Sequence, residues 1–248
     1  MAKWLNAKIV KRTDWNDHLF SLSFECADFP DFKAGQFTKV GIEQNGQIIS
    51  RPYSLVNPPL ANHLEIIAVP VQEGLLSTQL HQLNHGDNIK VMAPATGFLT
   101  LDEVPASNNL WLLATGTGVG PFISILADPL VWQKYQHITL VYGVRYEHDL
   151  AYLPLINNCM KDKGNQFNFV PVVSRENSPG GLRGRIPELL ASGVIQAQVK
   201  QSLNAQDSQV MLCGNPDMIQ SSVNVLTAMG LRKHLRRSPG NISMERYW

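Results

Sequence analysis

The sequence has few cysteines and no long apolar run, and each absence excludes a class of protein. The three cysteines, Cys26, Cys159 and Cys213, cannot pair evenly and lie far apart, which excludes a disulfide scaffold and a cysteine-ligated metal cluster. No apolar run approaches the roughly 20 residues that span a bilayer, and residues 1–11 lack the apolar core of a secretory signal. We therefore expect a cytoplasmic protein with reduced thiols, no metal and no membrane contact.

The sequence also lacks the Gly-Lys-Ser/Thr triplet of an ATP-binding Walker loop. It has instead Thr115-Gly116-Thr117-Gly118, between the apolar run Leu110–Ala114 and a helix-compatible pattern that starts near Pro121. Because glycines carry no Cβ atom, such a turn lets backbone N–H groups at a helix N-terminus face a phosphate. A tight strand-to-helix turn would look the same, and Pro121 replaces the third glycine of the dinucleotide fingerprint, so both interpretations stay open.

The 248 residues, 44% of them hydrophobic and 17% charged, have the composition of a globular protein that is long enough for two domains. Up to Thr100 the chain reads as short strands separated by turns, including the hairpin signal Asn45-Gly46. Beyond Thr100, apolar runs alternate with helical stretches near Pro121–Ala127, Asp149–Met160, Ile186–Ser192 and Pro216–Met229. We predict an antiparallel β-barrel over residues 1–100 and an α/β domain with a parallel nucleotide-binding sheet over residues 101–248.

Two groups of residues in the first domain could bind an anionic nucleotide. Arg51 and Tyr53 alternate onto one face of a predicted strand, so a guanidinium could pair with a phosphate while a phenol stacks on a flat ring. Ser77 and Thr78 open a predicted helix, whose N-terminus could bind the same phosphates. The alternatives are a surface ion pair for Arg51, an amphipathic barrel residue for Tyr53 and helix capping for the two hydroxyls.

Arginines follow the apolar runs of the second domain, at the sheet edge where ligands bind to parallel sheets. Arg145 stands where an enzyme that uses NAD commonly has an acid for the ribose 2′-hydroxyl, and Arg175, Arg183 and Arg185 follow the next run. Guanidiniums so close together would repel one another unless a dianion lay among them, which favours NADP(H) over NAD(H). The alternative is neutralisation by the neighbouring carboxylates of Glu147, Asp149 and Glu176.

Positive charge is concentrated near the C-terminus, although the whole chain has a net charge of only +1. Residues 231–248 contain one acidic side chain, Glu245, and five basic ones, namely Arg232, Lys233, Arg236, Arg237 and Arg246. Such a segment suits an acidic partner or nucleic acid, and a solvated surface is the alternative.

Five motifs occur in order along the chain: Arg-Pro-Tyr-Ser, Gly-Leu-Leu-Ser-Thr, Gly-Thr-Gly-Val-Gly-Pro, Val-Ser-Arg and Cys-Gly-Asn-Pro-Asp-Met. With these motifs the sequence resembles the ferredoxin–NADP reductase family over essentially its whole length. Glu245-Arg246-Tyr247-Trp248, with the basic residues 233–237, resembles the bacterial flavodoxin/ferredoxin–NADP reductases in particular. The resemblance implies an FAD-binding barrel and an NADP(H)-binding α/β domain whose C-terminal tail returns to the flavin.

For FAD, the resemblance implies that Arg51 binds the pyrophosphate, Tyr53 stacks on one face of the isoalloxazine and Ser54 lies near flavin N5. Ser77 and Thr78 would contact the phosphates. The ring of Tyr247 would cover the other flavin face, and Trp248 would stack on the adenine. The remaining residues implied for this site are Pro52, where close relatives often have a small or apolar residue, and Ala68, Val69, Leu75 and Leu76.

For NADP(H), the resemblance implies that Thr117, Gly118 and Pro121 lie beneath the phosphates. The residues implied at the 2′-phosphate are Arg145, Arg175 and Arg185, and those implied elsewhere in the site are Ser174, Cys213, Gly214, Asn215 and Met218. The candidates for polarising or protonating the flavin site are Ser54, Cys213 and Glu245, and hydride transfer would require displacement of Tyr247.

The implied function is electron transfer between NADPH and flavodoxin or ferredoxin, through hydride transfer between nicotinamide and FAD. Alternatives are an NADPH-dependent free flavin reductase, the reductase component of an oxygenase, and a non-catalytic nucleotide- or nucleic-acid-binding module that uses the basic segment. Under the implied function we expect a monomer that binds acidic electron carriers and no nucleic acid.

Overall fold

The computed structural model describes residues 2–246 and divides the chain into two compact units. The first contains the residues up to Thr100 together with Gly120–Asp128. The second contains Leu101–Val119 together with the residues from Pro129 onward.

A six-stranded antiparallel sheet forms the first unit, in the order β4-β3-β6-β1-β2-β5. Its strands are β1 Lys3–Asp14, β2 Phe20–Glu25, β3 Phe37–Gln44, β4 Gln47–Ser54, β5 Leu64–Ala68 and β6 Asn88–Ala93. The two edges meet, because just beyond β4 the N–H of Val56 donates to the carbonyl of Glu65 on β5 at 2.9 Å. Asn45 and Gly46 form the predicted hairpin turn between β3 and β4, with φ angles of 50° and 76°. The rolled sheet confirms the predicted antiparallel barrel.

Alternate side chains of these strands fill the interior of the barrel. Phe20, Leu22 and Phe24 of β2 are completely buried there, since every second residue of a strand points to the same face. A short helix, α1 Ser77–Gln82, follows β5 and buries Leu80 in the same core. The position of α1 therefore depends on the barrel.

The helix after the glycine-rich turn, α2 Gly120–Ala127, belongs to the first unit. The Ser124 hydroxyl donates to the Asn57 carbonyl at 2.7 Å. A Cβ atom added to Gly120 would lie 3.3 Å from the side chains of Val56 and Ile67. The glycine therefore allows the first turn of α2 to pack closely on the barrel.

The second unit is built on a fully parallel sheet in the order β10-β9-β8-β7-β11-β12. Its strands are β7 Asn109–Thr115, β8 His137–Val144, β9 Phe167–Val173, β10 Leu182–Arg183, β11 Ser208–Gly214 and β12 Ile242–Arg246. Its helices are α3 Pro129–Lys134, α4 Leu153–Lys163, α5 Ile186–Ala191, α6 Val194–Val199 and α7 Pro216–Ala228. The parallel sheet confirms the predicted α/β architecture.

The core of the second unit lies between the sheet and α5, α6 and α7. Trp111 of β7 and Leu212 of β11 pack there with Ile195 of α6 and Ile219 of α7. Buried strands of this kind are apolar along most of their length, which is why the sequence shows them as continuous runs. Within residues 2–246 no helix is long and apolar enough to cross a membrane.

The helix predicted over Asp149–Met160 begins later in the structure, at Leu153. Asp149 ends a 3₁₀ turn, Glu147–Asp149, where its carboxylate accepts the N–H of Tyr146 at 3.2 Å. Tyr152 then has a φ angle of 60°, which interrupts any helical path. The elements β10, β12, α3 and α6, which have two to six residues each, went unpredicted.

Candidate functional site

The end of β4 carries the first predicted FAD residues. Arg51 and Tyr53 lie on the face of β4 that also carries Ile49, and Ile49 and Tyr53 pack against the barrel core. The exposed Arg51 guanidinium donates to the Ser50 carbonyl at 2.8 Å, and no carboxylate within residues 2–246 pairs with it. Burial raises the pKa of Tyr53 to about 12, and the charge of Arg51 acts in the opposite direction. Among the described residues, therefore, no surface ion pair accounts for Arg51.

The other predicted residues of β4 and β5 differ in exposure. Pro52 is exposed, whereas Ser54 is buried, with its Cβ atom 4.0 Å from the position that a Cβ of Gly120 would take. Ala68 is buried at the end of β5, and Val69 beyond it is half-buried. Ser54 thus lies beside the first turn of α2, inside the first unit.

The start of α1 carries the second predicted FAD group. Ser77 accepts a hydrogen bond from the N–H of Val71 at 2.9 Å, and the Thr78 hydroxyl donates to the Gly74 carbonyl at 2.6 Å. Neither hydroxyl caps the helix, and no other side chain among the described residues does so. The first backbone N–H groups of α1 consequently lack a capping acceptor, which differs from the capping alternative.

The flanking leucines of α1 divide between surface and core. Leu75 is 65% exposed, whereas Leu76 is buried in the barrel core. Arg51 has no carboxylate partner within residues 2–246, the Tyr53 ring is half-exposed, and the start of α1 is uncapped. These groups can bind the phosphates and the flat ring system of a flavin dinucleotide. The first unit therefore fits FAD.

In the second unit the strand order reverses between β7 and β11, which is where open α/β sheets bind ligands. The predicted residues Thr117 and Gly118 follow β7 in a 3₁₀ turn, and Cys213, Gly214 and Asn215 end β11 or follow it. The structure therefore brings these five predicted residues to one edge of the sheet.

Gly118 approaches the backbone of the neighbouring strand. A Cβ atom at Gly118 would lie 2.6 Å from the Cys213 carbonyl oxygen and from the Gly214 Cα atom. A Cβ atom at Gly214, whose φ angle is 133°, would likewise clash with Thr115. The N–H of the next residue, Asn215, donates to the Thr115 hydroxyl at 3.0 Å. Packing between β7 and β11 thus requires these two glycines, whether or not a phosphate binds nearby.

Asn215 and Met218 take structural positions at the start of α7. The Asn215 side chain accepts from the N–H groups of Asp217 and Met218, at 2.8 and 3.2 Å, and so caps the helix. The Met218 side chain is buried in the core of the second unit. The sequence signal for the cap was correct, and the burial of Met218 gives it a packing role.

Cys213 and Glu245 are direct neighbours on adjacent parallel strands, β11 and β12. Cys213 is completely buried and Glu245 is half-buried. Two of the predicted catalytic residues are therefore adjacent. The other predictions for the C-terminus, Tyr247 and Trp248, lie outside the described residues.

The predicted 2′-phosphate residues follow the ends of β8, β9 and β10. The Arg175 N–H donates to the Arg145 carbonyl at 3.0 Å, and the Ser174 hydroxyl donates to the Val144 carbonyl at 3.2 Å. Arg183 pairs with Val173 on β9, and Arg185 directly precedes α5. The backbone thus brings the segments that carry Arg145, Ser174, Arg175 and Arg185 to one corner of the sheet.

The neighbouring carboxylates of Asp149 and Glu176 accept hydrogen bonds from backbone N–H groups and form no ion pair with these arginines within residues 2–246. Glu176 accepts the N–H of Glu147 at 2.6 Å, and Asp149 accepts the N–H of Tyr146 and lies 3.6 Å from His148. Within residues 2–246, no ion pair joins a carboxylate to any of the arginines at this corner, which are Arg145, Arg175, Arg183 and Arg185. The donor set therefore fits a phosphate dianion.

Tyr146 joins this corner and was missed from the sequence. Its hydroxyl accepts from Arg175 at 3.5 Å, and its ring centroid is 5.8 Å from the Arg175 guanidinium carbon. The ring also stacks on His148, with 5.5 Å between centroids and an interplanar angle of 4°. Its position directly after Arg145 at a strand end was the available signal.

Pro121 differs from the other predicted NADP(H) residues. It is buried in the first turn of α2 and belongs to the first unit, whereas Thr117 and Gly118 belong to the second.

Within residues 2–246, no group of three or more histidine, cysteine or acidic side chains could hold a metal ion.

The basic segment near the C-terminus forms a tight turn in the second unit. Leu235 and Ser238 exchange backbone hydrogen bonds of 3.1 and 2.9 Å, so Arg236 and Arg237 lie at the tip. Arg236 forms a two-pronged ion pair with Glu103, at 2.6 and 2.9 Å, which raises the pKa of Arg236. The positive charge of this turn is therefore partly compensated.

Each of the two units contains a segment that matches a known protein family. Residues 6–99 match the model of an oxidoreductase FAD-binding domain, and residues 112–224 match that of an oxidoreductase NAD-binding domain. The flavodoxin/ferredoxin–NADP reductase of Escherichia coli (strain K12) is 43% identical over the full length of both chains. That of Buchnera aphidicola subsp. Baizongia pistaciae is 42% identical, again over both full lengths. The chain belongs to the flavodoxin/ferredoxin–NADP reductase family.

A solved structure of the family has the same fold. The ferredoxin NADP+ reductase of Neisseria gonorrhoeae, determined with bound FAD and NADP, superimposes with a TM-score of 0.94 and is 33% identical in sequence. The match covers 98% of each of the two chains. Family membership confirms the predicted oxidoreductase class and the predicted cofactors, FAD and NADP(H).

Proposed function

We propose that this oxidoreductase transfers electrons between NADPH and a one-electron carrier protein, flavodoxin or ferredoxin. The observation that carries the proposal is the corner of Arg145, Arg175 and Arg185, whose nearby carboxylates are occupied by backbone N–H groups. Such a corner selects a 2′-phosphate, and NADPH carries one. The names of the full-length relatives supply the carrier class.

In this proposal residues 1–100 bind FAD and residues 101–248 bind NADP(H). FAD, when bound, accepts the hydride of NADPH and releases its electrons one at a time. Arg51 and the start of α1 hold its phosphates through charge-assisted hydrogen bonds, and Tyr53 stacks on its ring system. Thr117 and Gly118, in the turn after β7, bind the NADPH phosphates through their backbone N–H groups.

We assign the proton-handling role to Ser54, Cys213 and Glu245. Glu245 is the one carboxylate of the three, and its half-buried position beside Cys213 suits a group that holds a proton. Glu245→Gln should slow flavin reduction by NADPH and leave FAD content unchanged. An unaltered reduction rate would remove Glu245 from this set.

We assign Tyr247 to the flavin face and Trp248 to the adenine of FAD. Trp248→Ala should weaken FAD retention by roughly 1–3 kcal/mol, the value of a base–aromatic stack. Tyr247→Ser should strengthen nicotinamide binding and increase the use of NADH, because the ring no longer competes for that face. Two variants that behave like the wild type would contradict the assignment.

The decisive experiment measures cofactor content and acceptor choice of the purified protein. We expect a yellow protein that releases about one FAD per chain and reduces flavodoxin or ferredoxin with NADPH. Faster turnover with free flavin than with either protein would favour a flavin reductase. A colourless protein that takes up no flavin would contradict the proposal.

We also propose a cytoplasmic monomer that binds no nucleic acid. Cys26 and Cys159 form no disulfide within residues 2–246, and burial raises the pKa of both thiols, which favours their protonated form. Cell fractionation, light scattering and a DNA-binding titration at low salt test the three parts separately.

A further inference from the structure

Arg12 of β1 binds the far end of α1. Its Nη1 atom donates to the carbonyl oxygens of His81 and Leu83, at 2.7 and 3.1 Å, which lie 69 and 71 residues along the chain. His81 lies in the last turn of α1 and Leu83 is the residue directly after the helix, where backbone acceptors have no partner within the helix. A guanidinium at this end also complements the helix dipole.

Arg12 is itself held in place from two sides. Its Nε and Nη2 atoms bind the Asp14 carboxylate at 2.9 and 2.7 Å, and its Cζ atom lies 4.7 Å from the ring centroid of Phe20. Phe20 is completely buried, and its ring contacts the His81 ring edge-on at 5.1 Å. Because the Arg12 side chain is only 14% exposed, these contacts join α1 firmly to β1 and the barrel core.

The helix that Arg12 binds is too short to be stable by itself. Six residues make less than two turns, and isolated helices of that length do not persist in water. The direction of its first N–H groups therefore depends on tertiary contacts, namely the burial of Leu80 and the hydrogen bonds of Arg12. The N-terminal end lies roughly 8 Å along the helix axis from the end that Arg12 binds.

We propose that Arg12 is a positioning residue for FAD: it fixes the C-terminal end of α1 and thereby aims Ser77, Thr78 and their N–H groups at the flavin phosphates. Arg12 acts through the helix and has no direct contact with the cofactor. The proposal rests on the assignment of the α1 start to the FAD phosphates.

The test compares FAD with riboflavin, which has the same ring system and no phosphate. For Arg12→Met we expect about a tenfold rise in the dissociation constant for FAD, the size of one lost charge-assisted hydrogen bond. The riboflavin constant should stay unchanged, because the ring-binding residues remain in place. The dissociation constant of Arg12→Lys for FAD should lie between those of the wild type and Arg12→Met, because an ammonium keeps the charge but cannot reproduce the forked geometry of the guanidinium.

Lys11→Met is the matched control, because Lys11 is the exposed neighbour of Arg12 on β1 and also carries one positive charge. It should bind both ligands like the wild type. Hydrogen exchange of the wild type and Arg12→Lys provides a second measurement: amide exchange should accelerate in residues 77–83 and stay unchanged in β1 to β5.

Equal loss of FAD and riboflavin in Arg12→Met would indicate general damage to the barrel and overturn the inference. Unchanged FAD binding would overturn it as well. If Arg12→Met does not fold, Arg12→Lys decides by the same two criteria. A wild-type protein that binds no FAD would instead contradict the proposed function. If Ser77→Ala weakens FAD binding while Arg12→Met binds FAD normally, only the role of Arg12 is contradicted.

Discussion

At the scale of single residues, the proposed function assigns the choice of coenzyme to Arg145 and Arg175. Arg145→Ala or Arg175→Ala should weaken NADPH binding by roughly 1.5–3 kcal/mol, the value of a hydrogen bond to a charged group. NADH binding should barely change, because NADH lacks the 2′-phosphate. Lys161→Ala, which removes an exposed charge from α4, is the control. Steady-state constants for both coenzymes measure the effect, and equal losses would contradict the assignment.

Tyr135 is a residue whose hydroxyl the fold does not use. Its Oη atom is buried and has no hydrogen-bond partner within residues 2–246. Tyr135→Phe should therefore raise the free energy of unfolding by about 1 kcal/mol, since an unsatisfied buried polar group is removed. Tyr142→Phe, which loses a 3.4 Å hydrogen bond to the Asp149 carbonyl, should not stabilise the protein. Urea denaturation at pH 7 compares the two.

Tyr135 also gives the protein an alkaline sensitivity. Burial raises its pKa, so the folded state keeps the phenol proton at a pH where an unfolded tyrosine, with a pKa near 10, has lost it. The unfolded state then binds fewer protons, and stability falls as the pH rises above about 10. Tyr135→Phe should show a smaller fall between pH 9 and 11 in the same denaturation experiment. Parallel profiles for the two proteins would contradict this account.

At the scale of elements, Asn215 links the sheet edge to α7. Asn215→Ala should lower the free energy of unfolding by about 1 kcal/mol, because two N–H groups lose their acceptor. Asn215→Asp keeps an acceptor at the same position and should restore stability. Thermal and urea unfolding measure both variants. If alanine and aspartate behave alike, the cap does not hold α7.

At the scale of the whole molecule, the basic turn should steer an acidic carrier. Reduction of flavodoxin should slow as salt shortens the screening length to about 10 Å. Arg237→Glu should flatten that salt dependence. Arg236→Glu is a poorer probe, because it also places two carboxylates together by breaking the pair with Glu103. An unchanged salt profile in Arg237→Glu would mean that the carrier docks on another face.

The sequence by itself determined the local structure and the family. Strand and helix periodicity, the Asn45-Gly46 hairpin and the Asn215 cap depend on a few adjacent residues, and five motifs carried the family and its cofactors. The sequence also predicted that Arg145 and Arg175 lie near each other, because residues that follow parallel strands share one edge of the sheet.

Only the tertiary structure decided which partner each side chain has. Glu176 could have paired with an arginine and instead binds the N–H of Glu147, while Arg236 binds Glu103, 133 residues away. Gly118 lies too close to the backbone of β11 to carry a side chain, and Arg12 donates to a carbonyl at the end of α1. Such contacts depend on how strands cross over, and periodicity and turn chemistry hold no information on distances between segments that lie far apart in the chain.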